Sequence, residues 1–252
     1  WVYQQGVYRP QGREYALKRI QDYLGETWRK SRADDVLAYI LDATRIPQPV
    51  PSLSHINCLN GRLRWQEDRL EAQTPDARDL YQIPVTYTPE ATCPTWDQYL
   101  TSTLDEELHP LIEEILGYCL IPDTRFEKAI LLTGAGANGK SVFLNMLNAL
   151  LGPDQVCHAG WQELEEHRFT LAQLYGKLAN LFADVDSRAL RSTSMFKQLV
   201  AGDPLLAERK FGAQFTFRPF AKLIFSANRL PTSRDLSYGF FRRLIIVPFT
   251  RT

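Results

Sequence analysis

The stretch "AILLTGAGANGKSVFLN", residues 129–145, constrains the fold more than any other part of the chain. An apolar run, Ala129 to Leu132, is cut off at Gly134. A loop of small residues follows, then Gly139-Lys140-Ser141 and a second apolar run that ends at Gly152-Pro153. A short apolar run bounded by glycine reads as a buried strand. The second run, "KSVFLNMLNALLG", has helical spacing and a glycine stop. A strand, a tight glycine loop and a helix in direct succession form one half of an α/β unit, which commits this part of the chain to a layered sheet.

The loop fits G-x-x-x-x-G-K-[ST], and each position has a physical reason. The glycines let backbone N–H groups turn inward around phosphate. Lys140 reaches the β- and γ-phosphates as a point charge, Ser141 offers a hydroxyl to Mg²⁺, and the helix start adds its positive dipole end. Gly134, Ala135, Gly136, Ala137, Asn138, Gly139, Lys140, Ser141 and Val142 are therefore the candidate ATP-binding residues, with ATP and Mg²⁺ the expected cofactors.

Such a site needs a carboxylate at a neighbouring strand end. "KLANLFADVDS" supplies Asp184 and Asp186; Asp184 is favoured because the apolar run is longest before it, with Asp186 as alternate or assistant. Ser141 and Asp184 are the expected metal ligands. "AKLIFSANRLP" ends in Asn228, an amide able to orient water or sense the γ-phosphate. "SYGFFRRLIIVPF" places Arg242 and Arg243 before a strand, and arginine is the usual transition-state cation of phosphoryl transfer.

Strand-like runs at "AILLT", "KLANLFADVD", "AKLIFSAN" and "RLIIVPF", with helix-like stretches between the first three, predict an α/β sheet with a mainly parallel core. Ahead of it, "GREYALKRIQDYLGETW" puts Ala16, Leu17, Ile20, Tyr23 and Leu24 on one helical face, and "ADDVLAYILDATRIP" repeats the pattern up to Pro47. "INCLNGRLRWQ" reads as a hairpin turning at Asn60-Gly61. "PVTYTPEATCPTW" is extended and Pro-rich, which sets a boundary near Pro94. The expected organisation is a small, mainly helical α+β domain over 1–94 and an ATPase core over 95–252.

The chain has zero net charge unevenly spread: from Ser187 onward it carries +9, and before that −9. A basic final part points to a polyanion partner or to pairing between acidic and basic faces of subunits. No stretch approaches the roughly 20 apolar residues of a membrane span. No signal peptide is visible; the missing initiator Met suggests a fragment, and the ending "IIVPFTRT", which stops just after an apolar run, suggests a cut on that side too. Cys58, Cys93, Cys119 and Cys157 form no CxxC pair, and His55, His109, His158 and His167 no HxxxH. Reduced cysteines in a cytosol are expected, and no zinc site.

Four motifs in order, "GAGANGKS", "LFADVD", "GDPLLAERKFGAQFTFRPFAKLIFSAN" and "FFRRLIIVPF", together resemble superfamily 3 helicases, specifically the helicase part of phage and plasmid primase-helicases. Asn138 and the Lys197, Gly202-Asp203, Lys210 series belong to that resemblance. "LNGRLRW" and "CPTWDQYL" look like the small domain between primase and helicase. The resemblance implies an AAA+-like P-loop core and a homo-hexameric ring that hydrolyses ATP at subunit interfaces. It also implies 3′-to-5′ movement on single-stranded DNA at duplex forks, with a primase fused or separate, in phage, plasmid or other mobile-element replication. It assigns Asp184 as the acid, although Ala183 stands where many relatives have a second acid. It further assigns Asn228 as sensor and Arg243, or else Arg242, as arginine finger. "AERKFGAQFTF" becomes a hairpin that presents Arg209, Lys210 and Phe211 to nucleic acid. Two other functions stay open: a P-loop small-molecule kinase, and an ATP-binding origin-recognition or scaffold module that does not unwind DNA.

Overall fold

The computed structural model describes residues 1–45, 50–185, 193–210, 212–230, 235 and 237–251. The chain divides into two compact units, Trp1–Gln82 and Ile83–Thr252. The Pro-rich stretch 83–93 thus groups with the second.

In the first unit, β1 (Val2–Gln4) and β2 (Val7–Arg9) form a small hairpin, followed by α1 (Gly12–Leu24) and α2 (Lys30–Ala43). Ile20, Ala33 and Leu37 are buried between the helices, with Ala16, Leu17, Leu24 and Ile40 packed around them. Tyr23, expected on that face, is 91% exposed. At 100° per residue it lies at the edge of the stripe, where its ring and hydroxyl reach water. A three-stranded antiparallel sheet follows: β3 (His55–Cys58), β4 (Gly61–Arg64) and β5 (Arg69–Glu71). The hairpin turns on Leu59-Asn60, one residue before the expected Asn60-Gly61, because Gly61 already pairs with Cys58. Buried Asn57 pins the unit together by donating to the carbonyls of Gly6 and Tyr81.

The second unit opens with α3 (Pro94–Thr103) and α4 (His109–Leu120). The remaining elements are β6 (Ala129–Thr133), α5 (Lys140–Leu151), β7 (Val156–Cys157), α6 (Trp161–Glu166), α7 (Arg168–Leu171) and β8 (Ala179–Phe182). Then come α8 (Ser194–Ala201), β9 (Leu205–Glu208), β10 (Gln214–Phe217), β11 (Lys222–Ala227), α9 (Tyr238–Phe241) and β12 (Leu244–Pro248). Among the described residues, five strands form one sheet in the order β12-β6-β11-β8-β7, and every ladder in it is parallel. The α/β expectation holds. The central strands are buried on both faces, which is why β6 and β11 read as continuous apolar runs.

One face of the sheet packs on an aromatic cluster. Trp161 stacks on Phe196 at 4.5 Å between centroids and touches Phe225 of β11 and Phe240 of α9. The edge strand β7 has only two residues, too few to show in the sequence. Buried Asn180 of β8 extends its ladder: the side-chain amide exchanges two hydrogen bonds with the backbone of Ala159, as another strand residue would.

Candidate nucleotide site

Parallel strands aim their carboxyl ends to one side, where open α/β sheets bind ligands. Gly134 follows β6, Asn228 follows β11 and Asp184 follows β8. Because β11 lies between β6 and β8, Asn228 stands between the glycine loop and the acid.

The loop is folded tightly on itself. The Lys140 ammonium donates to the Gly134 carbonyl at 2.6 Å and to Asn138 Oδ1 at 2.7 Å, and the side chain is buried. Burial pushes the Lys140 pKa down, and the Asp184 charge opposes that shift. Asn138 Nδ2 donates to the Phe249 carbonyl at 2.7 Å, which ties the loop to the residue after β12. A Cβ on Gly134 would come within 1.9 Å of Asn138 Nδ2 and 2.4 Å of the Phe249 carbonyl oxygen. Gly139 has φ +91°, and a Cβ there would meet Thr103. Both glycines are therefore required by space or by backbone conformation. Ser141 and Val142 are exposed at the start of α5.

Asp184 is exposed and adopts a left-handed φ of 66°, uncommon for a residue with a Cβ. Its backbone N–H points at Ser226 Oγ, and the next N–H, of Val185, donates to the Ser226 carbonyl at 2.8 Å. Asn228 Nδ2 donates to Asp184 Oδ1 at 3.2 Å. Lys140, Asp184 and Asn228 thus converge. Asp186 lies outside the described residues. Among those described, no cluster of three or more His, Cys, Asp or Glu residues could hold a metal alone.

Arg242 and Arg243 lie elsewhere. β12 runs parallel to β6 with Leu244 opposite Ala129 and Pro248 opposite Thr133, so the arginines sit at the amino end of the sheet. A five-residue strand, about 16 Å, separates them from the loop of their own subunit. Both pair with Glu127, at 2.6 Å from Arg242 and 3.1 Å from Arg243, and Arg243 also donates to the Gly239 carbonyl.

The expected hairpin exists: β9 and β10 pair antiparallel, with Gln214 opposite Glu208. It feeds the amino end of β11, not Asn228 directly, so the whole of β11 separates hairpin and loop. Arg209 does not project from the tip. Its guanidinium lies over the rings of Phe215 and Tyr175, at 5.1 and 5.7 Å from their centroids. A cavity of about 450 Å³ opens beside β7, walled in part by His158, Tyr175, Lys177 and Arg209. Lys210 is exposed, and Phe211 lies outside the described residues.

Several contributors had no clear signal in the sequence. Ser226 aligns Asp184 from the next strand, Glu127 holds the arginine pair, and Tyr99 of α3 donates to the Gly139 carbonyl at 2.9 Å. Lys197 and Asp235 pair at 2.6 Å, and Asp235 also accepts from Thr193 and the Ser237 N–H. The Lys197 bond, above all, holds the Asp235 carboxyl well below the usual carboxylate range.

Residues 4–105 match the family described as D5 N terminal like, and residues 132–243 match a family of unknown function, DUF5906. A provisionally named helicase of Acanthamoeba polyphaga mimivirus is 30% identical over 152 residues, which is 58% of this chain and 16% of that protein. Solved structures of the NrS-1 C terminal region superpose on the chain. One has a TM-score of 0.53 at 15% identity over 88% of this chain and 52% of its own, and another 0.50 at 18% identity over 66% and 39%. At these identities the structures share the fold. The chain spans about a sixth of the mimivirus relative and about half of the first NrS-1 region. It is thus similar, in succession, to the D5 N terminal like family and, over residues 132–243 that include Lys140, Asp184 and Asn228, to DUF5906.

Proposed function

We propose that this chain is the motor part of an ATP-driven DNA helicase or translocase of the primase-helicase kind, acting in viral or mobile-element DNA replication. The observation that carries the reading is the convergence of Lys140, Asp184 and Asn228 at the carboxyl ends of adjacent strands, beside a glycine loop that opens a helix. The mimivirus helicase relative and the D5 N terminal like match support the nucleic-acid side of the reading. The strand that separates the loop strand from the acid strand, and ends in Asn228, fits an AAA+-like core of superfamily 3.

The residues present fit ATP and Mg²⁺. Gly134 and Gly139 let the loop backbone pass close against Asn138, Phe249 and Thr103, where a Cβ would clash, and Lys140 and the exposed Ser141 lie at its helix end. A hydroxyl and one carboxylate are the small protein set that Mg²⁺ takes alongside phosphate oxygens. Ser141 and Asp184 would hold the ion, which supplies neutralisation of the charge that builds on the phosphates. Lys140 exchanges its two loop acceptors for β- and γ-phosphate oxygens, an exchange its buried, partly desolvated ammonium favours. Asn228 would keep one amide N–H on Asp184 and offer its remaining N–H or its carbonyl oxygen to the attacking water. Water would add to the γ-phosphorus as the bond to the bridging oxygen breaks, giving ADP and phosphate, with the water's protons passing to the departing phosphate and to solvent.

Arg243 lies too far from its own loop, so its role as transition-state cation needs a neighbouring subunit, in keeping with a homo-hexameric ring. Lys210 at the hairpin is the proposed backbone contact to single-stranded DNA.

The test is ATP turnover with and without a single-stranded oligonucleotide, alongside strand displacement on a forked duplex. Stimulation by the oligonucleotide, lost in a folded Lys140→Ala protein, is expected. Near-normal turnover in Lys140→Ala sinks the assignment of the site. Stimulation by a small metabolite in place of DNA redirects it to a kinase.

A further inference from the structure

The helix α3 is fastened to the glycine loop at several points. Tyr99 donates its phenol to the Gly139 carbonyl at 2.9 Å, and Thr103 is the first atom group a Cβ on Gly139 would strike. At the same, carboxyl end of the helix, Arg251 donates to the Thr101 carbonyl at 2.7 Å and to Asp105 at 2.9 Å. Leu100 and Leu104 are buried beneath. The helix therefore cannot shift without moving the loop.

On this fixed helix, Trp96 sits three residues before Tyr99, on the same face, and stacks on its ring at 5.4 Å between centroids and 27° between planes. The order outward from the loop is Gly139, Tyr99, Trp96. Trp96 is only partly buried, so its indole is not consumed by the core.

We propose that Trp96, backed by Tyr99, is the stacking platform for the base of the nucleotide whose phosphates lie at Gly134–Ser141. The inference rests on the nucleotide reading of the loop given above and adds the subsite that holds the base. Tyr99 has a structural part: its hydroxyl is spent on Gly139, and burial pushes its pKa up to about 12, so it remains a donor at all working pH values. The Trp96 indole, the surface offered to the base, selects by π-face area rather than by hydrogen-bond pattern. Stacking of this kind tolerates any base. ATP and GTP should therefore bind with similar affinity, and pyrimidine triphosphates more weakly.

The experiment is calorimetric titration of the chain with ATP, GTP and inorganic tripolyphosphate, each with Mg²⁺, for wild type, Trp96→Ala, Trp96→Phe and Lys140→Ala. Trp96→Ala should weaken ATP and GTP by about tenfold and leave tripolyphosphate unchanged. Trp96→Phe should recover most of the loss, and Lys140→Ala should weaken all three ligands. The proposal is overturned if Trp96→Ala leaves ATP unchanged, or if it weakens tripolyphosphate as much as ATP, since the indole is then only a prop for the loop. It is also overturned if wild type prefers ATP over GTP by more than tenfold and Trp96→Ala keeps that preference. If wild type binds neither ATP nor tripolyphosphate, the nucleotide reading itself falls, a result distinct from the others.

Discussion

Asn228 donates its side-chain amide to Asp184 Oδ1 at 3.2 Å although the two residues lie 44 positions apart in the chain. The contact exists because β11 and β8 are parallel neighbours, with Phe225 opposite Phe182, so the residues just beyond each strand meet. Asp184 is left with one carboxylate oxygen free of this bond, and its left-handed backbone is held by Ser226 of the same neighbouring strand.

From this arrangement, Asp184→Asn should keep nucleotide binding and lower hydrolysis by orders of magnitude. Asn228→Ala should lower turnover with less effect on nucleotide affinity. Nucleotide titration and steady-state turnover, measured together, separate these outcomes. A normal rate in Asp184→Asn with a collapse in Asp186→Asn would exchange the roles of the two acids.

Asn138 is buried and makes two hydrogen bonds, one to the Phe249 carbonyl and one from Lys140. Asn138→Ala should cost about 1–3 kcal/mol, because it strands a buried carbonyl and frees the loop from the end of β12. Urea unfolding would show the loss. Asn138→Asp, which cannot donate to the Phe249 carbonyl, should not restore the stability.

Arg243→Ala should bind nucleotide normally and hydrolyse it poorly if its partner is the loop of a neighbouring subunit. Mixing it with Lys140→Ala subunits should restore part of the activity, since each defect then falls on a different side of an interface. Glu127→Gln frees both arginines from their ion pair and should retain activity. Absence of recovery in rings shown to be mixed would make the arginines structural.

Lys210→Ala should weaken single-strand binding and flatten its dependence on log salt by about 0.7 for each DNA phosphate no longer neutralised, with basal turnover intact. Arg209→Ala should behave differently and lower stability, because its guanidinium packs on Phe215 and Tyr175. Binding titrations across salt, beside thermal melts, distinguish the two. Unchanged salt dependence in Lys210→Ala would move the DNA path away from the hairpin.

Lys222 opens β11 almost fully buried, donating to the Ile121 carbonyl with its ammonium 4.8 Å from the centre of the Tyr118 ring. Burial lowers its pKa to about 8 from 10.5. Between those values the unfolded chain binds the proton and the folded chain does not, so this group makes stability rise with pH across about 8 to 10.5; below 8 the cost of burial is full. Compared with Lys222→Met, the wild type should be at its relative worst below pH 8 and gain up to about 3 kcal/mol by pH 10.5. Urea midpoints of both proteins across that range check the sign. Using the difference between them cancels most of the opposite contribution of Cys119, whose thiol burial pushes up to about 12.

The local structure of Ala129 to Leu151 was legible in the sequence. Their apolar spacing, loop glycines and glycine stop mark strand, loop and helix in the sequence, although Phe249, Thr103 and the neighbouring strands hold them in place. The candidate acid and amide were legible for the same reason, as polar residues that end apolar runs. Tertiary structure alone decided which strands are neighbours, because pairing between parallel strands depends on crossovers and leaves no periodic mark. That order brings Asn228 to Asp184 and sends Arg242 and Arg243 to the far end of the sheet, although all four end or begin similar runs. It also decided that Tyr99, an ordinary helix residue in the sequence, touches Gly139, and that Arg209 turns back onto aromatic rings. These contacts join residues distant in sequence, and such packing arises only when both surfaces are already folded.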